Sequence, residues 1–69
     1  MDKRKRLGRR LCEVRTSRRM SQDELAWRTN LKPYNISDFE RGVVAPSNEM
    51  LVKICRVLQC SWQELHEQE

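Results

Sequence analysis

Six basic side chains lie within the first ten residues of the chain: Lys3, Arg4, Lys5, Arg6, Arg9 and Arg10. Ammonium and guanidinium groups donate charge-assisted hydrogen bonds to phosphate and carboxylate oxygens. Residues 1–19 hold nine Lys or Arg against two Asp or Glu, a net +7, whereas residues 20–69 hold five against eight, a net −3. This asymmetry indicates a polyanionic partner, nucleic acid before an anionic membrane surface, and the alternative is a solvated helix face or tail.

A second group of polar side chains recurs at helical spacing in the segment LKPYNISDFERG, residues 31–42. If Ile36 and Phe39 face inward, a rotation of about 100° per residue places four others on the opposite face. These four are Tyr34, Ser37, Asp38 and Arg41. A tyrosine offers a hydroxyl and an apolar ring edge to a base. A serine hydroxyl can pair with several bases, and a carboxylate can accept a hydrogen bond from the N4 amine of cytosine.

The sequence offers little for catalysis or for a cofactor. His66 is the only histidine, its neighbours supply no identifiable nucleophile, and no glycine-rich phosphate loop is present. The three cysteines, Cys12, Cys55 and Cys60, lack the C-x-x-C spacing of zinc or redox sites and are expected to be reduced packing or surface residues. The sequence therefore predicts a protein that is not an enzyme and that uses no metal, cofactor or small-molecule ligand.

The size of the chain predicts one small domain. Its 69 residues are 38% hydrophobic and only 6% aromatic, enough for a compact helical core. A chain this short lies near the limit of independent stability, which makes a homodimer plausible. The longest apolar run, VVA, cannot span a membrane, and the start DKRKR does not resemble a secretory signal, so a cytoplasmic location is expected.

Apolar spacing and capping signals predict five helices and no strand. Ser21 with Glu24, and Ser61 with Glu64, are capping boxes, while Pro33 suits a first helical turn. The expected helices cover roughly residues 3–17, 21–28, 33–41, 48–58 and 61–67. Asn30 is expected to adopt the left-handed conformation at the turn between the second and third helices. The predicted class is all-α.

Five segments together resemble the lambda-repressor and Cro type of helix-turn-helix domain, the XRE family. They are LGRRLCEVR, SQDELA, NISDFERG, APSNEMLVKICRVL and SWQEL, in the order and at the spacing of that family. The resemblance covers residues 7–65. It implies a five-helix lambda-repressor-like domain over residues 7–66, preceded by a basic N-terminal arm over residues 1–6, with residues 21–28 as the positioning helix and 33–41 as the recognition helix.

The resemblance also assigns roles to individual residues. The expected DNA base contacts are Pro33, Tyr34, Ser37 and Asp38. The expected DNA phosphate contacts are Gln22, Asn35, Arg41, Arg4, Arg6, Arg10 and Lys32. Arg15 and Glu40 are expected to form a structural ion pair, and Trp62 and Leu65 to form a dimer interface, with burial in the protomer's own core as the alternative.

The chain departs from the family on the surface that reads bases. Pro33 stands where Gln or Arg is frequent, and Val43, Val44 and Ala45 replace the frequent lysines after the glycine. Base-specific hydrogen bonding through this helix is therefore expected to be sparse, with much of the affinity supplied by the basic N-terminus.

Two functional hypotheses follow. The first is a sequence-specific transcriptional regulator of bacterial, plasmid or phage origin, associated with the nucleoid and binding double-stranded DNA as a homodimer on paired half-sites. The second is a protein-interaction or antitoxin-type module with weak or nonspecific DNA binding and a protein partner.

Overall fold

The computed structural model describes residues 2–65, and within this range every regular element is an α-helix. The helices are α1 (Lys3–Ser17), α2 (Gln22–Thr29), α3 (Pro33–Arg41), α4 (Asn48–Leu58) and α5 (Trp62–Leu65). The prediction of an all-α, five-helix fold is confirmed, with the start and end of α2 each one residue later than expected. The predicted extension of the last helix to residue 67 and His66 lie outside the described residues. None of the helices in residues 2–65 has the length and apolar character needed to cross a membrane.

The first helix begins at Lys3, where the sequence predicted its start, and includes the basic residues 3–6. The Asp2 carboxylate accepts a hydrogen bond of 2.9 Å from the backbone N–H of Lys5, which caps α1 in front of Lys3. That hydrogen bond also lowers the pKa of Asp2, since it favours the charged carboxylate. Residues 3–6 thus form the first turn of α1, as the predicted helix over residues 3–17 requires, and a DNA-binding role of residues 1–6 as a basic arm stays a prediction.

The two predicted capping boxes form to different extents. Ser61 and Glu64 exchange both hydrogen bonds, at 2.9 and 3.2 Å. Ser21 accepts from the backbone N–H of Glu24 at 3.0 Å, but the Glu24 carboxylate pairs instead with Arg28 one turn further along, at 2.9 Å. Only the serine half of the first box is present because Arg28 is a charged competitor for the same carboxylate.

Three of the helices end at a residue in the left-handed backbone conformation, which sets the direction of the helix that follows. Asn30 ends α2 with a φ of 61°, as expected, Gly42 ends α3 with a φ of 78°, and Gln59 ends α4 with a φ of 54°. The turn between α2 and α3 is closed by a hydrogen bond of 2.8 Å from the backbone N–H of Leu31 to the carbonyl of Ala26.

One apolar core unites the five helices. It contains Leu11, Val14, Leu25, Ala26, Ile36, Phe39, Leu51, Ile54, Leu58 and Leu65. Leu65 is only 1% exposed, so its predicted role in a dimer interface is wrong and the alternative, burial within the protomer, is the one observed. The short α5 buries Leu65 because a helix of this length cannot stand without packing against its own chain.

Backbone contact brings α1 against the end of α3. A Cβ atom built on Gly8 would lie 2.2 Å from the Phe39 carbonyl oxygen and 2.6 Å from that of Glu40. No side chain fits at such distances, so glycine at this position allows the two helices to approach. The contact places the first two turns of α1 beside the C-terminal end of α3.

Candidate nucleic acid interface

The outward face of α3 presents the predicted base-contacting side chains to solvent. Tyr34 is 65% exposed and Pro33 is also exposed, while Ser37 and Asp38 are partly exposed. The opposite face buries Ile36 and Phe39 in the core, as the helical spacing predicted. The structure thus brings the four proposed base-contacting residues to one accessible surface.

Asp38 and Arg41 are engaged with each other on this surface. An Nη atom of Arg41 lies 2.7 Å from a carboxylate oxygen of Asp38, one turn apart in α3. The pair is exposed, so it contributes little to stability. The ion pair does matter for binding, because the Arg41 guanidinium must break it before all of its N–H groups can contact a phosphate.

Asn35 has a structural task at the start of α3. Its side-chain oxygen accepts a hydrogen bond of 3.1 Å from the backbone N–H of Lys32. Lys32 itself is exposed at the N-terminal end of the helix, where positive backbone dipoles favour anions. The amide oxygen of Asn35 therefore accepts a hydrogen bond within the protomer. Both Asn35 and Lys32 are predicted phosphate contacts, and Lys32 is the more accessible of this pair.

A largely buried network joins α1, α2 and α3 behind the interface. Arg15 donates to both carboxylate oxygens of Glu40, at 2.6 and 3.1 Å, and to the carbonyl of Met20 at 2.7 Å. The Arg15 and Glu40 side chains are only 11% and 6% exposed. The hydrogen bond to Glu40 raises the pKa of Arg15, against the opposing effect of burial.

Gln22 belongs to the same network. Its amide nitrogen donates a hydrogen bond of 2.9 Å to the Glu40 carboxylate. This contact was not anticipated from the sequence, because it depends on how the start of α2 meets the end of α3. One amide hydrogen and the amide oxygen of Gln22 remain for a phosphate or water, so the side chain is positioned by Glu40 before any ligand arrives.

The first turn of α1 lies beside the loop that follows α3. Arg4 donates to the carbonyl of Val43 at 3.4 Å. A Cβ atom built on Gly42 would lie 2.6 Å from the side chain of Lys5 and 2.9 Å from its Cα. Basic charge therefore stands next to the segment Val43–Ala45, where the sequence itself has only apolar side chains.

Lys5 is exposed and packs against Gly42, because a glycine permits another backbone to approach closely. The sequence placed Lys5 in the basic N-terminus but did not predict this contact. Arg6 lies in the same turn and is partly buried.

Arg10 has a different environment from the other basic residues. Its Nε donates to the carbonyl of Glu64 at 2.8 Å, and an Nη atom pairs with Glu13 at 3.1 Å. The guanidinium thus ties α1 to α5. The prediction that Arg10 contacts phosphate is not supported by this placement, because its donors already serve two partners within the protomer.

The three cysteines are not among the residues of this candidate interface. Cys55 and Cys60 contact each other at the end of α4, where burial raises the pKa of both thiols, that of Cys60 to about 11. Among residues 2–65, no three His, Cys, Asp or Glu side chains converge in a way that could hold a metal ion.

The pairing of α2 and α3 through a left-handed Asn30, with the outer face of α3 exposed, defines a helix-turn-helix domain of the DNA-binding class. A family model described as "Helix-turn-helix" matches residues 13–65. The chain belongs to this helix-turn-helix family, of the XRE type, and the resemblance seen in the sequence is confirmed.

Two solved structures are similar over most of the chain. The clp gene regulator ClgR from Corynebacterium glutamicum superimposes with a TM-score of 0.90 at 29% identity, covering 94% of this chain and 69% of that one. The restriction-modification controller protein C.AhdI from Aeromonas hydrophila superimposes with a TM-score of 0.85 at 31% identity, covering 88% of this chain and 92% of that one.

Curated relatives come from a different group of organisms. Multiprotein-bridging factor 1 of Candida glabrata is 40% identical over 52 residues, and the endothelial differentiation-related factor 1 homolog of Gallus gallus is 36% identical over 52 residues. The matched segment is 75% of this chain but only 34% and 35% of those proteins. The chain therefore spans about a third of the length of these relatives.

Proposed function

We propose that this chain is a transcriptional regulator that binds double-stranded DNA with a sequence preference, as a homodimer on paired half-sites. The observation that carries the proposal is the exposed outer face of α3, which has Tyr34 near its start and the basic first turn of α1 at its end. The descriptions of ClgR as a gene regulator and of C.AhdI as a controller protein support the same function. The role is one of binding, without catalysis.

Base contacts come from the start and middle of α3. Tyr34 places its ring edge and hydroxyl in the major groove, Pro33 makes apolar contact, and Ser37 tolerates several bases. When Arg41 no longer pairs with Asp38, the Asp38 carboxylate accepts a hydrogen bond from the N4 amine of cytosine. Bases that present only acceptors to Asp38 are disfavoured. Because this face has few hydrogen-bond donors, the preference for a DNA sequence is expected to depend on DNA shape and apolar contacts as much as on hydrogen bonds.

Phosphate contacts flank this reading surface. Lys32 and the remaining amide hydrogen of Gln22 lie at the starts of α3 and α2, where backbone N–H groups also favour phosphate. Arg4, Lys5, Arg6 and Arg41 supply charge at the other end of α3. If Lys32 and these four residues neutralise about five phosphates per protomer, the logarithm of the binding constant falls with the logarithm of salt concentration with a slope of about −4.5.

A binding titration with two variants tests the division between base and phosphate contacts. Tyr34→Ala is expected to change the ratio of affinities for two different duplexes, because it removes a base contact. Arg4→Ala is expected to weaken binding to both duplexes equally and to reduce the salt slope by about 1. Equal losses on both duplexes from both variants would remove α3 from the reading of sequence.

The homodimer is proposed to form near the C-terminal helix. With Leu65 buried, Trp62 is the part of the predicted interface that remains on the surface, at 43% exposure. A two-fold pair of recognition helices would place half-site centres about 34 Å apart, one turn of DNA. The bacterial, plasmid or phage origin and the cytoplasmic, nucleoid-associated location stay predictions.

A second candidate function is protein bridging. It is favoured by the name of the curated relatives, multiprotein-bridging factors, and by the low number of base-reading side chains on α3. Absence of binding to duplex DNA even at low salt would favour this module, with a protein as its principal partner. Sequence-independent binding that disappears at moderate salt would instead indicate a nonspecific duplex binder.

A further inference from the structure

Trp27 is an exposed aromatic side chain with no role in the DNA-binding proposal. Its side chain in α2 is 85% exposed, more than that of any other large hydrophobic residue in the described part of the chain. Tryptophan is strongly enriched among the residues that carry most of the energy of protein interfaces. An indole so open to water is therefore a candidate anchor for a partner.

The fold does not require a tryptophan at this position. Leu25, Ala26 and Thr29 already form the buried side of α2. Trp27 follows Leu25 by two residues, about 200° around the helix, so it points away from the core and from the neighbouring helices. A partner that contacts Trp27 would thus leave the outer face of α3 accessible.

The surroundings of Trp27 are acidic and concave. Its ring borders a shallow depression of about 490 Å³ that is also lined by Ser21, Asp23, Glu24 and Arg28. Arg28 is paired with Glu24, which leaves the exposed Asp23 as the uncompensated charge of the depression. In a chain of net charge +4, this surface has the sign opposite to that of the first turn of α1.

These charges favour a cation beside Trp27. Asp23 and Glu24 lie in the first turn of α2, where their carboxylates partly offset the positive end of the helix. An ammonium or guanidinium group can pair with Asp23 while lying against the face of the Trp27 ring, and an apolar neighbour can cover the rest of the indole.

We propose that the depression formed by Ser21, Asp23, Glu24, Trp27 and Arg28 is a docking site for a segment of another protein in which Lys or Arg stands next to an apolar side chain. The site lies on α2 and contains none of the proposed base-contacting residues of α3. Binding of a protein segment to this site can be tested in the absence of DNA.

The probe is a short fluorescein-labelled peptide of alternating lysine and leucine, followed by fluorescence anisotropy with the full chain. Trp27→Ala and Asp23→Lys are expected to weaken its binding about tenfold or more, because they remove the anchor and reverse the charge. Val52→Ala removes another exposed apolar side chain, and Glu49→Lys reverses a charge at the equivalent second position of α4. Both control variants are expected to bind like the parent chain, and circular dichroism checks that all four variants fold.

Peptides in which glutamate replaces lysine, or serine replaces leucine, are expected not to bind. The proposal is overturned if the lysine and leucine peptide does not bind, if the glutamate peptide binds equally well, or if the controls lose as much affinity as the Trp27 variant. It is also overturned if Trp27→Ala abolishes self-association, since the occupant of the depression would then be a second copy of this chain.

Discussion

Glu40 is the residue that links the reading surface to the rest of the domain. Its carboxylate accepts from Arg15 in α1 and from Gln22 in α2, so it fixes the end of α3 against two other helices. The sequence predicted the Arg15 partnership only through the family resemblance. The Gln22 contact could not be predicted, because two residues 18 positions apart meet only after α2 and α3 have packed.

Replacing Glu40 is expected to destabilise the domain strongly. Glu40→Gln leaves the buried guanidinium of Arg15 without its counter-charge, which costs about 3–5 kcal/mol of unfolding free energy. Urea denaturation followed by circular dichroism measures the change. Glu24→Gln breaks the exposed pair with Arg28 and is expected to cost less than about 1 kcal/mol, so similar losses in the two variants would contradict the account.

At the scale of elements, the limits of the helices were predictable and the contacts between them were not. Capping residues and apolar spacing are local properties, so they placed α3 and α4 at their observed bounds. The start of α1 at residue 3 was also predicted, although its cap by Asp2 was not. The contacts of Arg10 with α5 and of Arg4 with Val43 depend on packing that no local pattern encodes.

The approach of α1 to α3 gives a prediction for Gly8. An alanine inside a helix normally stabilises it relative to glycine by up to about 1 kcal/mol. Gly8→Ala is expected to do the opposite and lower the midpoint of urea unfolding, because its methyl group would collide with the Phe39 and Glu40 carbonyls. Arg9→Ala, at the exposed neighbouring position, should leave the midpoint nearly unchanged, and a stabilising Gly8→Ala would refute the close contact.

The end of α4 gives a prediction about pH. Burial raises the pKa of Cys60 from 9.0 to about 11, so its thiolate fraction at pH 8 is about 100-fold lower in the folded state. In the Cys12→Ser variant, the remaining thiols Cys55 and Cys60, whose pKa values are both raised by burial, are expected to react with a thiol reagent far more slowly in buffer than in urea. The stabilisation from the protonated thiol is present below about pH 9 and is lost as the pH rises through 11, so the protection should disappear in that window. Equal rates in buffer and urea at pH 8 would contradict it.

At the scale of the whole molecule, the last helix has one residue in the core, Leu65, and one exposed residue, Trp62, that is proposed to contact a second protomer. Leu65→Ala is expected to lower the unfolding free energy by about 2–5 kcal/mol, because the leucine is fully within the core. Trp62→Ala is expected to weaken self-association with a smaller effect on unfolding, as measured by analytical ultracentrifugation beside urea denaturation. If Trp62→Ala leaves the association constant unchanged, the dimer does not form through this helix.

The molecule as a whole distributes its charges on separate surfaces. The basic first turn of α1 stands at the end of α3, and the acidic depression around Trp27 lies on the outer side of α2. The excess of positive charge in residues 1–19 predicted a polyanionic partner, but the sequence did not predict the acidic depression on α2. The two proposals assign DNA to the first of these surfaces and a protein segment to the second.

The central claim is that the outer face of α3 reads duplex DNA, and selection from a pool of random duplexes tests it most directly. The parent chain is expected to enrich a two-fold motif with half-site centres about one helical turn apart, and Tyr34→Ala to enrich a changed motif. Recovery of no motif by the parent chain, or of the same motif by Tyr34→Ala, would contradict the claim.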